Sequence, residues 1–235
     1  MEYYEITLTV QLTQDIVFDC AGEKVGQEIS RAMLNDSELI ELHGREGFKY
    51  YSFNSFYPIE KDGVYKVGRV YILKIRSLSE SFIKKIRLAL QKNENSYFKV
   101  LSIQSRTVKH NLITNLYTLT PVVVTMEGGK YWVKNDDLMY LQERLQANLE
   151  KKYNGFFGDE FDKSDKFSFI QRIEILNRKP MAVKYKNIKF IGNKFKVWVN
   201  EDEKSQKLAL IAMACGLGEK NTIVGTGFCT GGDRQ

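Results

Sequence analysis

Histidine is scarce in this chain. His43 and His110 are the only two in 235 residues, and they stand too far apart for a metal-ligand cluster to be read. Cysteine is scarce too. Cys20, Cys215 and Cys229 are odd in number and form no Cys-x-x-Cys pair, the usage of buried thiols in a reducing cytoplasm. The longest apolar run lies within "LALIAMACGLG" and is too short to span a bilayer. The opening "MEYYEITLTVQL" has neither a basic segment nor an apolar one, so it does not read as a secretory signal. A cytoplasmic location with no membrane partner is the expectation. Two familiar phosphate loops are missing as well. No G-x-x-x-x-G-K-[ST] run occurs, and the glycines near the C-terminus lack the third glycine and the strand-to-helix setting of a dinucleotide fingerprint. No metal and no cofactor are expected.

What is present is ordinary in bulk and specific in pattern. Apolar residues make up 43% and charged residues 27%, as in a globular protein with a substantial core. Thirty-five Lys and Arg against 29 Asp and Glu give a formal charge of +6, which favours a polyanionic partner without requiring one. Ile6, Leu8, Val10 and Leu12 alternate with polar residues and predict a strand. Val25, Ile29, Ala32 and Met33 share a helical face, and "NDSELIELH" (35–43) restarts a helix on Asp36 or Ser37. "FKYYSFNSFYP" (48–58) reads as a strand, and Asp62-Gly63 turns the chain into a second, "VYKVGRVYILKIR". Ser79 caps a helix with Phe82, Ile83, Ile86, Ala89 and Leu90 on its apolar face, and "SYFKVLSIQSRTV" follows as a strand. This β-α-β-β-α-β order is that of the ferredoxin-like unit.

The second half repeats the order more loosely. "LYTLTPVVVTM" is read as a strand, turned by Gly128-Gly129 into "KYWVK"; Leu138, Leu141, Leu145 and Leu149 stripe a helix. "KFSFIQRIEIL" (166–176) is a strand, "VKYKNIKF" and "KFKVWV" form a hairpin around Gly192-Asn193, "EKSQKLALIAMAC" is a buried helix and "TIVGTGFC" a last strand. The fold class expected is α+β: two tandem ferredoxin-like domains, 1–112 and 113–235, the second ending in a glycine-rich loop.

Three stretches carry chemistry. "ACGLGEKNTIVGTGFCTGG" concentrates glycine around Glu219-Lys220-Asn221. Glycines there either let backbone amides approach an anionic backbone or serve as a helix C-cap and a bulged edge strand. "ELHGREGFKYYSFNSFYP" (41–58) holds His43 at a helix end, with Lys49 six residues on. A lone histidine in that place either complements the helix dipole or works as an acid or base. In "KPMAVKYKNIKFIGNKFKVWVN", Lys184, Lys186, Lys194 and Lys196 alternate with apolar residues, marking either a basic ribbon for RNA or a solvated strand face. His110, in the segment between the halves, reads as a partly exposed linker residue.

Two ferredoxin-like units closed by "GLGEKNTIVGTGF" resemble the RAMP superfamily of CRISPR-associated proteins, and within it the endoribonucleases that cut CRISPR precursor RNA inside its repeats. Gly216, Gly218, Glu219, Lys220, Asn221, Gly225 and Gly227 match the family's glycine-rich motif; Leu42-His43, Gly47, Lys49 and "YYSFNS" match a second segment. "GEKVGQEISRAML" and "TLTPVVVT" are weaker matches. The resemblance implies a metal-independent endoribonuclease. His43 would be general base or acid and Lys49 the phosphate electrophile, leaving a 2′,3′-cyclic phosphate and a 5′-hydroxyl. Arg31, the four hairpin lysines, Gly216, Gly218, Lys220, Asn221, Gly225 and Gly227 are the candidate RNA contacts. The family often adds a tyrosine from the preceding helix; Ser30 stands at the matching place, leaving Arg31, Tyr50 or Tyr51 as candidate partners of His43. The partners implied are CRISPR repeat RNA, as precursor and mature product, and other subunits of a Cas effector complex, with the chain a monomer or homodimer. The rival reading is a non-catalytic RAMP subunit that only holds guide RNA. A tandem RNA-binding module of the RRM kind is a third, though no strand carries the RNP1 pattern.

Overall fold

The computed structural model describes residues 2–92, 94, 96–134, 136–161 and 167–233. Alternation carries the first element: strand β1 (Glu2–Leu12) buries Ile6, Leu8, Val10 and Leu12 on one face. A short β2 (Ile16–Val17) leads into helices α1 (Phe18–Met33) and α2 (Ser37–Gly44). Asp36 is the cap of α2, accepting from the N–H groups of Glu38 and Leu39. Strands β3 (Tyr51–Phe53), β4 (Val64–Tyr65) and β5 (Val70–Ser77), helix α3 (Glu80–Lys92) and strand β6 (Phe98–Lys109) complete the first half. Ser79 caps α3 as expected, its hydroxyl accepting from Phe82 N at 3.1 Å. The antiparallel sheet runs β3-β5-β1-β6, with Ile6 opposite Ile75 and Ser105. Helices α1 and α3 cover one face through Val25, Ile29, Phe82 and Ile86.

The second half comprises β7 (Ile113–Thr118), α4 (Leu138–Phe157), β8 (Ile170–Ile175), β9 (Met181–Tyr185), β10 (Ile188–Gly192), β11 (Phe195–Val199), α5 (Glu203–Cys215), α6 (Asn221–Val224) and β12 (Cys229–Asp233). Its main sheet runs β12-β7-β11-β8. In both sheets the order is fourth, first, third, second by chain position, so the fold is α+β with two tandem ferredoxin-like units. Helix α5 joins them. Ten of its 13 residues are buried, because it packs on β1, β3 and β5 of the first sheet and on β7, β11 and β12 of the second. Arg76, 4% exposed, adds a polar bolt across the same junction: Nε donates to Glu5 at 2.7 Å and Nη1 to the Cys229 carbonyl at 2.5 Å. Among the described residues no helix is long and apolar enough to cross a membrane.

Several elements differ from the sequence reading. The strand expected over 48–58 narrows to β3 and a single bridge, Tyr57 to Ile72, and the Asp62-Gly63 turn feeds β4, which pairs with β2. The strand expected over 116–126 ends at Thr118; beyond it, Val122, Val123 and Thr125 make only isolated bridges, the last to Tyr131. "TIVGTGFC" is a helical turn followed by a loop, because Lys220, Gly225 and Gly227 all have positive φ. The hairpin turns at Lys186-Asn187, pairing β9 with β10, while β11 lies in the main sheet. Lys166, first residue of the strand expected over 166–176, lies outside the described residues.

Candidate active site

Helix α2 sets His43 in its last turn, half-buried, beside carbonyls that have no intrahelical partner. The chain then folds back through Gly47 (φ +89°) and Tyr50 (φ 53°) into β3. That turn returns Lys49 to the helix end, where Nζ donates to the His43 carbonyl at 2.6 Å. The ammonium keeps two N–H groups for a further acceptor. Burial lowers the pKa of His43, and the neighbouring Lys49 charge lowers it further. Burial also lowers that of Lys49. An imidazole shifted below its ordinary value near about 6.5 is chiefly neutral at pH 7 and can accept a proton.

A cavity of about 490 Å³ opens over this pair, within the range of ligand pockets. Gln27, Ser30 and Arg31 of α1, Tyr185 of β9, and Thr222 and Ile223 of α6 line it together with the pair. Arg31 is steadied there: Nη1 donates to the fully buried Glu28 at 3.2 Å and to Ser96 Oγ at 2.6 Å. The two tyrosines beside Lys49 are otherwise engaged. Tyr51 is 2% exposed, its ring stacked on Phe82 and its hydroxyl on the Thr222 carbonyl at 3.4 Å. Tyr50 turns to α4, its ring 5.2 Å from that of Phe156. Of the partners suggested for His43, Arg31 is therefore the one with a charged group at the cavity.

The glycine-rich loop is largely buried, and its Glu219, Lys220 and Asn221 line a second cavity, of about 280 Å³, together with Lys49 and Lys152. Gly216, Gly218, Gly225 and Gly227 are all buried. The N–H groups of Gly216, Gly225 and Gly227 donate to the carbonyls of Ala212, Asn221 and Pro121. A Cβ at Gly218 would stand 2.7 Å from the Val123 carbonyl oxygen, and one at Gly225 2.6 Å from the Phe53 ring. Asn221 is 6% exposed; its amide donates to the Leu217 and Thr226 carbonyls and accepts from Lys152 Nζ at 2.8 Å. The close approach that glycine permits is here to the chain's own backbone and to the Phe53 ring, the C-cap and packing alternative of the two that the glycine spacing allows. The loop seats α6 against α1, where Gly22 and Gly26 meet the carbonyls of Val224 and Ile223 directly. Lys220 is the half-exposed member of the motif, its ammonium 5.7 Å from the Phe190 ring.

The four lysines do not form one ribbon. The β9–β10 hairpin docks on α1, with Lys184 paired to Asp19 at 2.9 Å and the Lys186 N–H donating to Glu23 at 2.9 Å. That docking carries Tyr185, between them, into the cavity. Lys194 is half-buried with its pKa lowered by burial, and Lys196 lies on β11, with its ammonium over Trp198. His110 stacks on Tyr3 and is not part of the cavity. Among the described residues no group of three or more His, Cys, Asp or Glu side chains could hold a metal ion.

Tyr185, Thr222 and Lys152 escaped the sequence reading. Lys152 is 2% exposed inside α4 and donates to the carbonyls of Gly216 at 2.7 Å and Gly218 at 3.0 Å as well as to Asn221. No spacing signals such long-range partners.

The comparisons with known proteins agree with this architecture. The family model "CRISPR associated protein Cas6, C-terminal" matches residues 103–230. The "CRISPR-associated endoribonuclease Cas6 2" of Methanocaldococcus jannaschii is 27% identical, with 95% of this chain and 97% of that protein covered. Among solved structures, one described as "An RAMP protein binding different RNA substrates" superposes with a TM-score of 0.75 at 21% identity, covering 98% of this chain and all of the other. A Cas6-related protein from Pyrococcus furiosus gives a TM-score of 0.73 at 21% identity, covering 99% of this chain and all of the other.

Proposed function

Because this chain belongs to the Cas6 family, whose model spans more than half of it, we propose that it is an endoribonuclease that cuts CRISPR precursor RNA within its repeats. The observation that carries the reading is the pairing of His43 and Lys49 at the mouth of one cavity. Cleavage of RNA by its own 2′-hydroxyl needs a base for that proton, a proton for the leaving 5′-oxygen, and positive charge on the phosphorane. A largely neutral imidazole suits the first task. Lys49, with two N–H groups to spare, suits the last, and Arg31 on the facing helix adds a second cation. The products are a 2′,3′-cyclic phosphate and a 5′-hydroxyl, formed without a metal ion. Residues 1–112 form the domain that carries the catalytic pair, and residues 113–235 the domain that carries the hairpin and glycine-rich loop. The enzyme works in the cytoplasm, alone or as a homodimer, and its mature guide RNA passes to other Cas subunits.

Incubation with repeat RNA in EDTA tests this directly. A product with a cyclic phosphate end is expected at the rate seen without EDTA. A 2′-deoxy sugar just upstream of the scissile phosphate removes the nucleophile and should abolish the cut while leaving binding intact. His43→Ala should slow the cut about 10²–10⁴-fold. Binding of repeat RNA with no cleavage under any of these conditions would favour the guide-holding subunit.

A further inference from the structure

The second sheet has an inner face and an outer one. Leu116, Phe195, Val197 and Val199 point inward and are buried. The residues between them point outward. On that outer face Tyr117 of β7 stands opposite Lys196 of β11, and Trp198 of β11 stands opposite Arg172 of β8. The Lys196 ammonium lies 4.3 Å from the Trp198 ring centre and 5.1 Å from that of Tyr117; the Arg172 guanidinium lies 4.6 Å over Trp198. Tyr117 is 39% exposed, and Arg172 is exposed as well. Glu174, opposite Lys196, is the acidic member of the face.

Two aromatic rings on the two central strands of a four-stranded sheet, interleaved with cations, are more than scattered exposed apolar residues, which need no explanation. Unpaired bases stack on such rings and on guanidinium planes, and ammonium groups draw in the phosphates between them. Duplex nucleic acid offers no free base faces to such a surface. We propose that this face, Tyr117 and Trp198 flanked by Lys196 and Arg172, is a stacking platform for the unpaired bases of single-stranded RNA. It shares no residue with the cavity at His43, and it rests on the reading above only for the class of ligand. It gives Lys196, which lies on β11 and not in the β9–β10 hairpin, an RNA-facing role, and it does so on strands without the RNP1 pattern.

The chain has two tryptophans, and Trp132 is 2% exposed, so Trp132→Phe leaves Trp198 as the single indole reporter. Titration with a ten-nucleotide RNA of alternating adenine and cytosine should quench its fluorescence saturably. The wild-type minus Trp198→Phe difference signal gives the same readout should the Trp132 variant fold poorly. Trp198→Ala and Tyr117→Ala should each weaken binding of that RNA roughly 5- to 150-fold, while Trp198→Phe and Tyr117→Phe should restore most of it. His43→Ala should quench like wild type. Quenching by a protein that fails to cut repeat RNA would sink the enzymatic reading and leave the platform standing. Unquenched Trp198, with wild-type affinity in folded alanine variants, overturns the platform. So does a concentration-dependent dimer lost in those variants at unchanged RNA affinity, which would make the face a protein interface.

Discussion

Lys152→Met tests the claim that the glycine-rich loop is held from within. Methionine fills nearly the same volume but donates nothing, so the carbonyls of Gly216 and Gly218 and the Asn221 side-chain oxygen, now 2.7, 3.0 and 2.8 Å from Nζ, lose this donor together. Each buried acceptor left bare costs about 1–3 kcal/mol. The ammonium's own desolvation, which lowers the Lys152 pKa to about 8, is recovered on substitution, so the low end applies. The sum is on the order of 3 kcal/mol. For a chain of this size that lowers the melting temperature by roughly 6–12 °C. The deficit should also depend on pH. The folded-state pKa of about 8 lies below the unfolded value near about 10.4, so the unfolded chain binds more protons in that window. Wild-type stability from this group therefore rises as pH climbs from about 8 towards about 10, and the gap to the methionine variant widens. Melting curves at pH 7 and pH 9.5 measure both effects. A variant that melts within a degree of wild type at both would refute the reasoning, since three buried acceptors would then have found other donors at no cost.

The remaining predictions concern the cavity and its walls. Burial and then the Lys49 charge lower the His43 pKa, so the acid limb of kcat/KM should fall below pH 6.5 in wild type and move up in Lys49→Met; an unmoved limb would remove His43 as the titrating base. Gly225→Val, with φ +67° and Phe53 at 2.6 Å, should unfold or strongly destabilise the protein, and a stable variant that merely binds RNA less well would restore the loop as an RNA contact. Lys184 is already paired with Asp19 at 2.9 Å, whereas Lys220 is half-exposed. Lys220→Ala should therefore flatten the salt dependence of RNA binding by about 0.7–0.9, and Lys184→Ala by less; equal slopes would contradict this ranking.

Legibility in the sequence followed range. The alternation of β1, the Asp36 and Ser79 caps and the stripe of α4 rest on neighbours within a few residues; they appear as expected except at Leu138, which opens α4 39% exposed while Leu141, Leu145 and Leu149 are buried. That His43 and Lys49 work together is what the resemblance implies; the structure adds that a helix end and a short turn bring Lys49 Nζ to the His43 carbonyl. The hairpin was misplaced because Gly192-Asn193 looks like a turn, while the real turn uses Lys186 in a left-handed conformation that its residue type does not announce. Asn193 instead exchanges backbone hydrogen bonds with Val122, in the segment after β7, as an isolated bridge.

The glycine-rich loop shows where spacing stops. A run of glycines states that backbone must come close to something, and it is silent on what. Here the partners are Phe53 and Val123, together with the facing glycines of α1, so the motif acts by bringing the two halves into register. Once α6 is seated, its Thr222 and Ile223 line the cavity that His43 and Lys49 also line. A motif of this kind can therefore matter to the cavity through packing alone. The consequence is measurable. Loop substitutions should lower stability and cleavage together, whereas substitutions at His43 should lower cleavage alone.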